Sequence, residues 1–349
     1  MINVIRRDIR GAIEFLKDKT IFCFGCGIQG RRAVYYLKDW GLAENTVAFI
    51  DNNVDKVGGK IEFLGCEYPI YSLKGAIDYI VRNKICESVV FLVTALHFSQ
   101  IYQQIEREYT DKNFMCMSMN EIASEQFKVS NYDGVIKQYP NPVIPKIIHY
   151  AWFGGDKPEK IKRNIDGWHK MCPNYEIQEW NESNYDISKN RYMQEAYDVK
   201  KWGFVPDYLR LDVIFQHGGI YLDTDIEIIK KPDELLFQDA FGCIDSSLTM
   251  NLGSGFGARK HCQMIKLFRD YYDSVSFVRD DGTIDNTTCN THQLVLLSRY
   301  GFSITDSYQC INGMNIYPMI FQGANGHGRE YAIKKNTFWI HYGNMSWFS

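Results

Sequence analysis

Between residues 20 and 120 short apolar runs alternate with amphipathic helical stretches, and no other pattern in the chain restricts its fold as much. TIFCFG (20–25) predicts a strand that runs into a glycine turn and the helix of GIQGRRAVYYLKDWG. TVAFIDN, SVVFLVTA and NFMCMS repeat the strand signal, and LKGAIDYIVRNK and SQIYQQIEREYTDK repeat the helix. KIEFLGCEYPIYS predicts a short hairpin or an irregular crossover. Strands separated by helices pair in parallel, with helices on both faces of the sheet. The expected class is therefore α/β, with an N-terminal parallel-sheet domain.

The alternation then stops. SNYDGVIKQYPNPVIPK holds three prolines and little periodicity, which predicts a linker. KIIHYAWFGG restarts with an apolar strand, and the chain alternates again around longer irregular stretches such as CPNYEIQEWNESNYD and FGCIDSSLTMNLGSGFGARK. Irregular stretches of that length in a compact domain are often functional. At 349 residues the chain exceeds what one core usually holds. The expected division is an accessory domain over 1–130, a linker over 131–142 and a second domain over 143–349.

Residues 205–229, VPDYLRLDVIFQHGGIYLDTDIEII, carry the most chemistry. Pro206 suits the first turn of a helix, where its missing N–H is harmless. Gly218 and Gly219 suit that helix's end. IYLDTDIEII predicts one strand, with Tyr221, Asp223, Asp225 and Glu227 on one face and Ile220, Leu222, Thr224 and Ile226 on the other. Two neighbouring carboxylates repel each other and resist burial unless a cation joins them. Mg²⁺ or Mn²⁺ suits such hard oxygen ligands and would stabilise a pyrophosphate leaving group. Asp207 and Arg210 lie three residues apart on the helix and share a face. A lone D-x-D is a weak signal, and an edge strand with incidental acids is its plain alternative. The apolar residues on both sides argue for a central position.

Bulk properties exclude some classes. A net charge of −3 offers no electrostatic basis for nucleic-acid binding. No run of about 18 apolar residues is present and the N-terminus lacks a continuous apolar core, so neither a membrane span nor a signal peptide is expected. Ten cysteines without framework spacing fit a reduced cytoplasmic setting. Cys23 and Cys26 form a C-x-x-C, but the further paired thiols of a zinc site are missing.

Four ordered segments resemble glycosyltransferase family 32, the DXD-containing group that includes yeast mannosyltransferases and bacterial capsular and lipopolysaccharide sugar transferases. The chain is more distantly similar to the catalytic domain of the clostridial glucosylating toxins. The segments are IPKIIHYAWFGGDKP, DYLRLDVIFQH, GGIYLDTD and the C-terminal HYGNMSWF, spanning about 143–349. The resemblance implies a GT-A-type nucleotide-sugar transferase domain, retention of anomeric configuration, a divalent metal and a nucleotide-sugar donor, UDP-sugar favoured. It implies Trp152 stacking on the donor base, with Tyr221 and Asn251 also on the donor side. Asp207 and Arg210 would contact the donor sugar and its phosphate, and Ser346 and Trp347 would close over the diphosphate. Asp225 would ligate the metal directly, assisted by Asp223 and His341. The family's acceptors imply a glycan or lipid-linked partner, surface-polysaccharide biosynthesis, and peripheral contact at the inner face of a membrane. Ala151 and Phe153 depart from the family's commoner residues, which bears on base preference. His341 stands where the toxins have an acidic ligand.

In the first domain Gly25, Gly27 and Gly30 spell G-x-G-x-x-G between strand and helix, and Asp51 ends the next strand where a ribose-binding acid belongs. The domain resembles the Rossmann-like domains found beside bacterial sugar-modifying enzymes, and a nucleotide site there and a plain tight turn both fit this pattern. Two alternatives to a transferase follow. One is a sugar-nucleotide-modifying or NAD-dependent enzyme run by the first domain, although no Tyr/Lys or Cys/His set follows the fourth strand. The other is a non-catalytic sugar-nucleotide-binding scaffold, which the intact Asp223/Asp225 pair opposes.

Overall fold

The structure is a computed structural model that describes residues 2–109, 114–323 and 333–343. The chain divides into two compact units, Met1–Val129 with Ser303–Thr305, and Ser130–Phe302 with Asp306–Ser349. No helix among the described residues is long and apolar enough to cross a membrane.

The first unit runs β1 (Asn3–Val4), α1 (Ile9–Leu16), β2 (Thr20–Phe24), α2 (Ile28–Asp39), β3 (Thr46–Ile50), β4 (Lys60–Phe63), β5 (Cys66–Tyr71), α3 (Leu73–Arg82), β6 (Val89–Val93), α4 (Phe98–Glu108), β7 (Met115–Ser118) and α5 (Met119–Val129). Its sheet has the order β1-β7-β6-β2-β3-β5-β4. Every pairing is parallel except the hairpin between β4 and β5. All five residues of β6 are buried, as a central parallel strand covered on both faces requires. The helices supply apolar stripes at helical spacing, such as Leu73, Ala76, Ile77 and Ile80 on α3, which join Phe22, Phe91 and Phe114 in the core. From β2 the chain steps outward through β3 and β5, then returns on the other side through β6 and β7. The order reverses beside β2, whose C-terminal end leads into the glycine turn.

The second unit begins with β8 (Ile147–Ala151), α6 (Glu159–Met171), β9 (Glu176–Trp180), α7 (Arg191–Asp198), α8 (Pro206–His217), β10 (Gly219–Tyr221) and β11 (Ile226–Ile228). It continues with β12 (Ala240–Cys243), β13 (Phe256–Ala258), α9 (Gln263–Tyr271), α10 (Cys289–Ser298), β14 (Gln309–Ile311), β15 (Met314–Tyr317) and β16 (Trp339–His341). Its main sheet is mixed, with the order β14-β15-β12-β13-β10-β8-β9, and β11 pairs with β16 in a separate ribbon. Residues 176–180, expected to be irregular, form β9 parallel to β8. Helix α8 is buried from Asp207 through Ile214, so its charged residues must find partners inside the protein.

The single strand expected through the two acids is not formed. Leu222 N–H still donates to His149 O, extending the β10 ladder by one residue (3.0 Å). The chain then turns, with Ile226 N–H donating to Asp223 O (3.1 Å), and leaves the main sheet as β11. The turn places both carboxylates at the strand end, where their side chains keep 31% and 17% of their exposure, which lowers the desolvation penalty.

Candidate functional site

Helix α8 holds the cationic part of the site. Asp207 sits in its first turn, where a negative charge is favoured by the helix dipole, and Arg210 follows one turn later. Arg210 Nη2 lies 3.0 Å from Asp207 Oδ1 and 3.7 Å from Asp223 Oδ1. Its Nε–H donates to Pro206 O (3.1 Å), and its guanidinium lies 5.2 Å over the Tyr221 ring. The other Asp207 oxygen accepts from Tyr192 Oη (3.2 Å). Burial pushes the Asp207 carboxyl up to about 6, with the Asp223 charge adding to it while Arg210 and Tyr192 pull against it.

The helix ends at Gly218 and Gly219, whose φ values of 68° and 107° lie in the left-handed region. A side chain at Gly218 would strike Pro145, and one at Gly219 would strike the Ile147 carbonyl. His149 fixes this corner. Its Nδ1 accepts from the Trp180 indole N–H (3.1 Å), so its Nε2–H donates to Gly218 O (2.9 Å). Burial drives its pKa down to about 4, and the ring is neutral at pH 7.

Three bonds hold the acidic turn. Asn164 Nδ2 donates to Thr224 O (3.0 Å), Trp168 Nε1 donates to Ile226 O (2.8 Å), and Tyr342 N–H donates to Asp225 O (3.1 Å). The antiparallel register sets His341 opposite Ile226 and brings its Nε2 to 3.3 Å from Asp225 Oδ1. Asp223, Asp225 and His341 each offer a ligand atom within 4.8 Å of the others. Burial raises the Asp223 carboxyl together with the Asp225 charge, against Arg210, His341 and a hydrogen bond from Tyr221. At His341 burial disfavours the proton, but the charges of Asp225, Asp223 and Asp245 outweigh it and the pKa is raised. Two carboxylates and an imidazole fit a hard or borderline divalent ion. Ligands at about 2.1 Å from Mg²⁺ stand about 3 to 4.2 Å apart, so modest closure suffices.

The structure does not gather every expected residue. Tyr221, expected on the donor side, is fully buried beneath Arg210 and supports the guanidinium and Asp223. Asn251 is engaged internally: its Nδ2 donates to Asp245 (2.9 Å) and its Oδ1 accepts from Gly253 N–H (2.8 Å). It shapes the loop that packs against Arg210. Trp152 is half-buried and its indole N–H donates to Gly155 O (2.8 Å), closing the loop after β8. Ser346 and Trp347 lie outside the described residues. Tyr192, Cys289 and Asn164 escaped the sequence reading. The Cys289 thiol lies 3.8 Å from Arg210 Nη1 and 3.7 Å from Asn251 Oδ1, and no local pattern marks it.

In the first unit a Cβ on Gly30 would fall 2.1 Å from Gly25 O, so this glycine is needed for close packing of α2. Asp51 does not present a free carboxylate. Its Oδ2 accepts from Cys26 N–H (2.9 Å) and Lys56 Nζ (3.2 Å), and its Oδ1 accepts from Asn53 N–H (2.9 Å). Burial raises its pKa, but these bonds prevail and hold it below the usual range. The acid expected to bind ribose therefore joins the glycine turn after β2 to the loop after β3. The ten cysteines are all free, Cys23 and Cys26 included.

Residues 158–242 match the family described as "Glycosyltransferase sugar-binding region containing DXD motif". That span holds Asp207, Arg210, Asp223 and Asp225. Inositol phosphoceramide mannosyltransferase 3 of Schizosaccharomyces pombe is 29% identical over 122 residues, covering 32% of each chain. Mannosyl phosphorylinositol ceramide synthase SUR1 of Saccharomyces cerevisiae is 26% identical over 159 residues, 42% of each. Subversion of eukaryotic traffic protein A of Legionella pneumophila is 27% identical over 120 residues, 26% of this chain and 19% of that one. The chain spans about a third of the length of the first curated relatives it matches. Among solved structures, PaToxG Glycosyltransferase aligns with a TM-score of 0.34 and 19% identity over 49% of this chain and 70% of that one. A likeness that low carries no information on the arrangement of elements.

Proposed function

We propose that this chain is a metal-dependent, retaining glycosyltransferase that moves a sugar from a nucleotide-sugar donor to a hydroxyl of a glycan or lipid-linked acceptor in surface-polysaccharide assembly. One observation carries the reading: Asp223, Asp225 and His341 converge from distant parts of the chain beside the buried Arg210–Asp207 pair. The matched DXD region and the transferases among the relatives support it. So does the fold: the strand order of the first unit fits a Rossmann-like accessory domain, and the mixed sheet of the second is compatible with a GT-A-type domain of family 32 kind.

In this reading Asp225, Asp223 and His341 would hold Mn²⁺ or Mg²⁺, which would offset the charge of the diphosphate leaving group. Arg210 holds the same developing charge from the protein side, pre-oriented by Asp207, Pro206 and Tyr221. Trp152 offers its indole face to the base, and the resemblance gives Ser346 and Trp347 to the diphosphate. The bond from the anomeric carbon to the phosphate oxygen breaks on the face where the acceptor oxygen bonds. The acceptor's proton passes to the departing phosphate. No side chain is required as covalent nucleophile. A lipid-linked acceptor would bring peripheral membrane contact, and the free cysteines favour a cytoplasmic setting.

The test is Mn²⁺-dependent donor hydrolysis or transfer across a panel of UDP- and GDP-sugars. Mannosyl donors belong on it because of the relatives' names, and UDP-sugars because of Trp152. Asp225→Ala serves as control. Metal-dependent turnover with at least one donor, lost in the variant, is expected. The absence of both turnover and a thermal shift with every donor would sink the proposal.

A further inference from the structure

Gly253 differs from its glycine neighbours in what surrounds it. A Cβ on Gly255 would meet the Trp339 ring, and one on Gly257 would meet Phe241 and backbone. Those two are packing glycines. A Cβ on Gly253 would lie 2.7 Å from Arg210 Nη1, 3.0 Å from Asp223 Oδ2 and 3.1 Å from Asn251 Oδ1. Two of these three side chains form the charged part of the site. Its φ lies outside the left-handed region, so backbone conformation does not explain the glycine.

Neither side of this contact can easily give. The loop is clamped: Leu252 N–H donates to Gln293 Oε1 (3.0 Å), Ser254 Oγ donates to Asn251 O (2.8 Å), and the Trp339 indole donates to Ser254 O (2.7 Å). Leu252 and Ser254 are fully buried. Arg210 is held by Pro206 O, Asp207 and the Tyr221 ring. Ordinary contact begins at 3.4 Å, so a methyl group would drive Arg210 Nη1 away by about 0.7 Å. Displacements near 1 Å at a charge-stabilising group cost about 100-fold in rate.

We infer that Gly253 is a positioning residue of this site: the missing side chain leaves the volume in which Arg210 and Asp223 stand side by side. The inference rests on the transferase reading only for its kinetic consequence; the geometric claim stands without it.

The experiment compares Gly253→Ala with wild type in the full chain, with Gly167→Ala as a control, because a Cβ there meets nothing within 4 Å. Three readouts are taken. With an active donor, Gly253→Ala lowers kcat at least tenfold while donor KM stays within about threefold. In ¹H–¹⁵N spectra the Arg210 Nε–Hε resonance, assigned by its loss in Arg210→Lys, moves in Gly253→Ala and not in Gly167→Ala. Third, Gly253→Ala lowers the thermal midpoint when Arg210 is present and not in the Arg210→Lys background, since lysine keeps the charge but lacks Nη1. A wild-type kcat together with an unmoved resonance overturns the proposal. If Gly253→Ala does not fold, the Lys background must restore folding, and failure to do so also overturns it. A wild-type chain that turns over no donor refutes the transferase reading, and the resonance and midpoint then decide on Gly253.

Discussion

Replacing Asp207 with asparagine isolates one buried charge. The folded carboxyl titrates at about 6, raised first by burial and then by Asp223. In the unfolded chain it titrates near ~3.9. Below pH ~4 both states are protonated and the site contributes no penalty. Between pH ~4 and ~6 the unfolded state releases its proton while the folded state keeps it. The folded state then binds more protons, so stability falls as pH rises. About two units at ~1.4 kcal/mol each give a loss of about 3 kcal/mol by pH 7. The carboxyl is fully buried, so solvent screening does not reduce this figure much. Asparagine has no such proton. The stability of Asp207→Asn relative to wild type therefore shifts in the variant's favour by about 3 kcal/mol between pH 4 and pH 7. A constant offset from the altered Arg210 and Tyr192 contacts comes on top. Urea unfolding followed by tryptophan fluorescence, with chelator present, measures the difference at each pH. A flat difference, or one that moves the other way, would show that Arg210 outweighs burial at Asp207.

Mn²⁺ at about 100 times its Kd should stabilise the wild-type fold by about 2.7 kcal/mol in thermal denaturation. Asp225→Ala should abolish that gain and His341→Ala should reduce it; full retention in Asp225→Ala would place the metal elsewhere. Trp168→Phe removes the donor to Ile226 O and should cost about 1–2 kcal/mol while weakening Mn²⁺ binding, read by isothermal titration. Unchanged Mn²⁺ affinity would mean that the acidic turn needs no support from α6. Gly30→Ala should destabilise the first unit by about 3 kcal/mol or more, because its Cβ meets a carbonyl 2.1 Å away. It should leave Mn²⁺ affinity untouched, and a normal melting profile would contradict the packing described for α2.

Long periodic segments were legible and short ones were not. In the first unit β2, β3, β6 and β7 are mostly apolar runs of four or five residues, and they form where the pattern puts them. In the second unit β10, β11 and β13 have three residues each, too few for a period to register. β9 was hidden because its residues are half-exposed and polar.

The sequence by itself determined the parallel α/β unit, helix α8 with Pro206 at its start and two glycines at its end, and the close spacing of Asp223 and Asp225. These follow from local periodicity and from the backbone limits of proline and glycine, which act within a few residues. Only the tertiary structure decided how those acids are placed. It replaced the straight strand by a turn, buried Tyr221 beneath Arg210, and tied Asp51 to the glycine turn after β2 as well as to its own loop. It also drew His341 to Asp225 and Arg210 to Gly253 across long stretches of chain. Desolvation and steric room are properties of the packed interior, and sequence spacing does not encode which distant atoms will supply them.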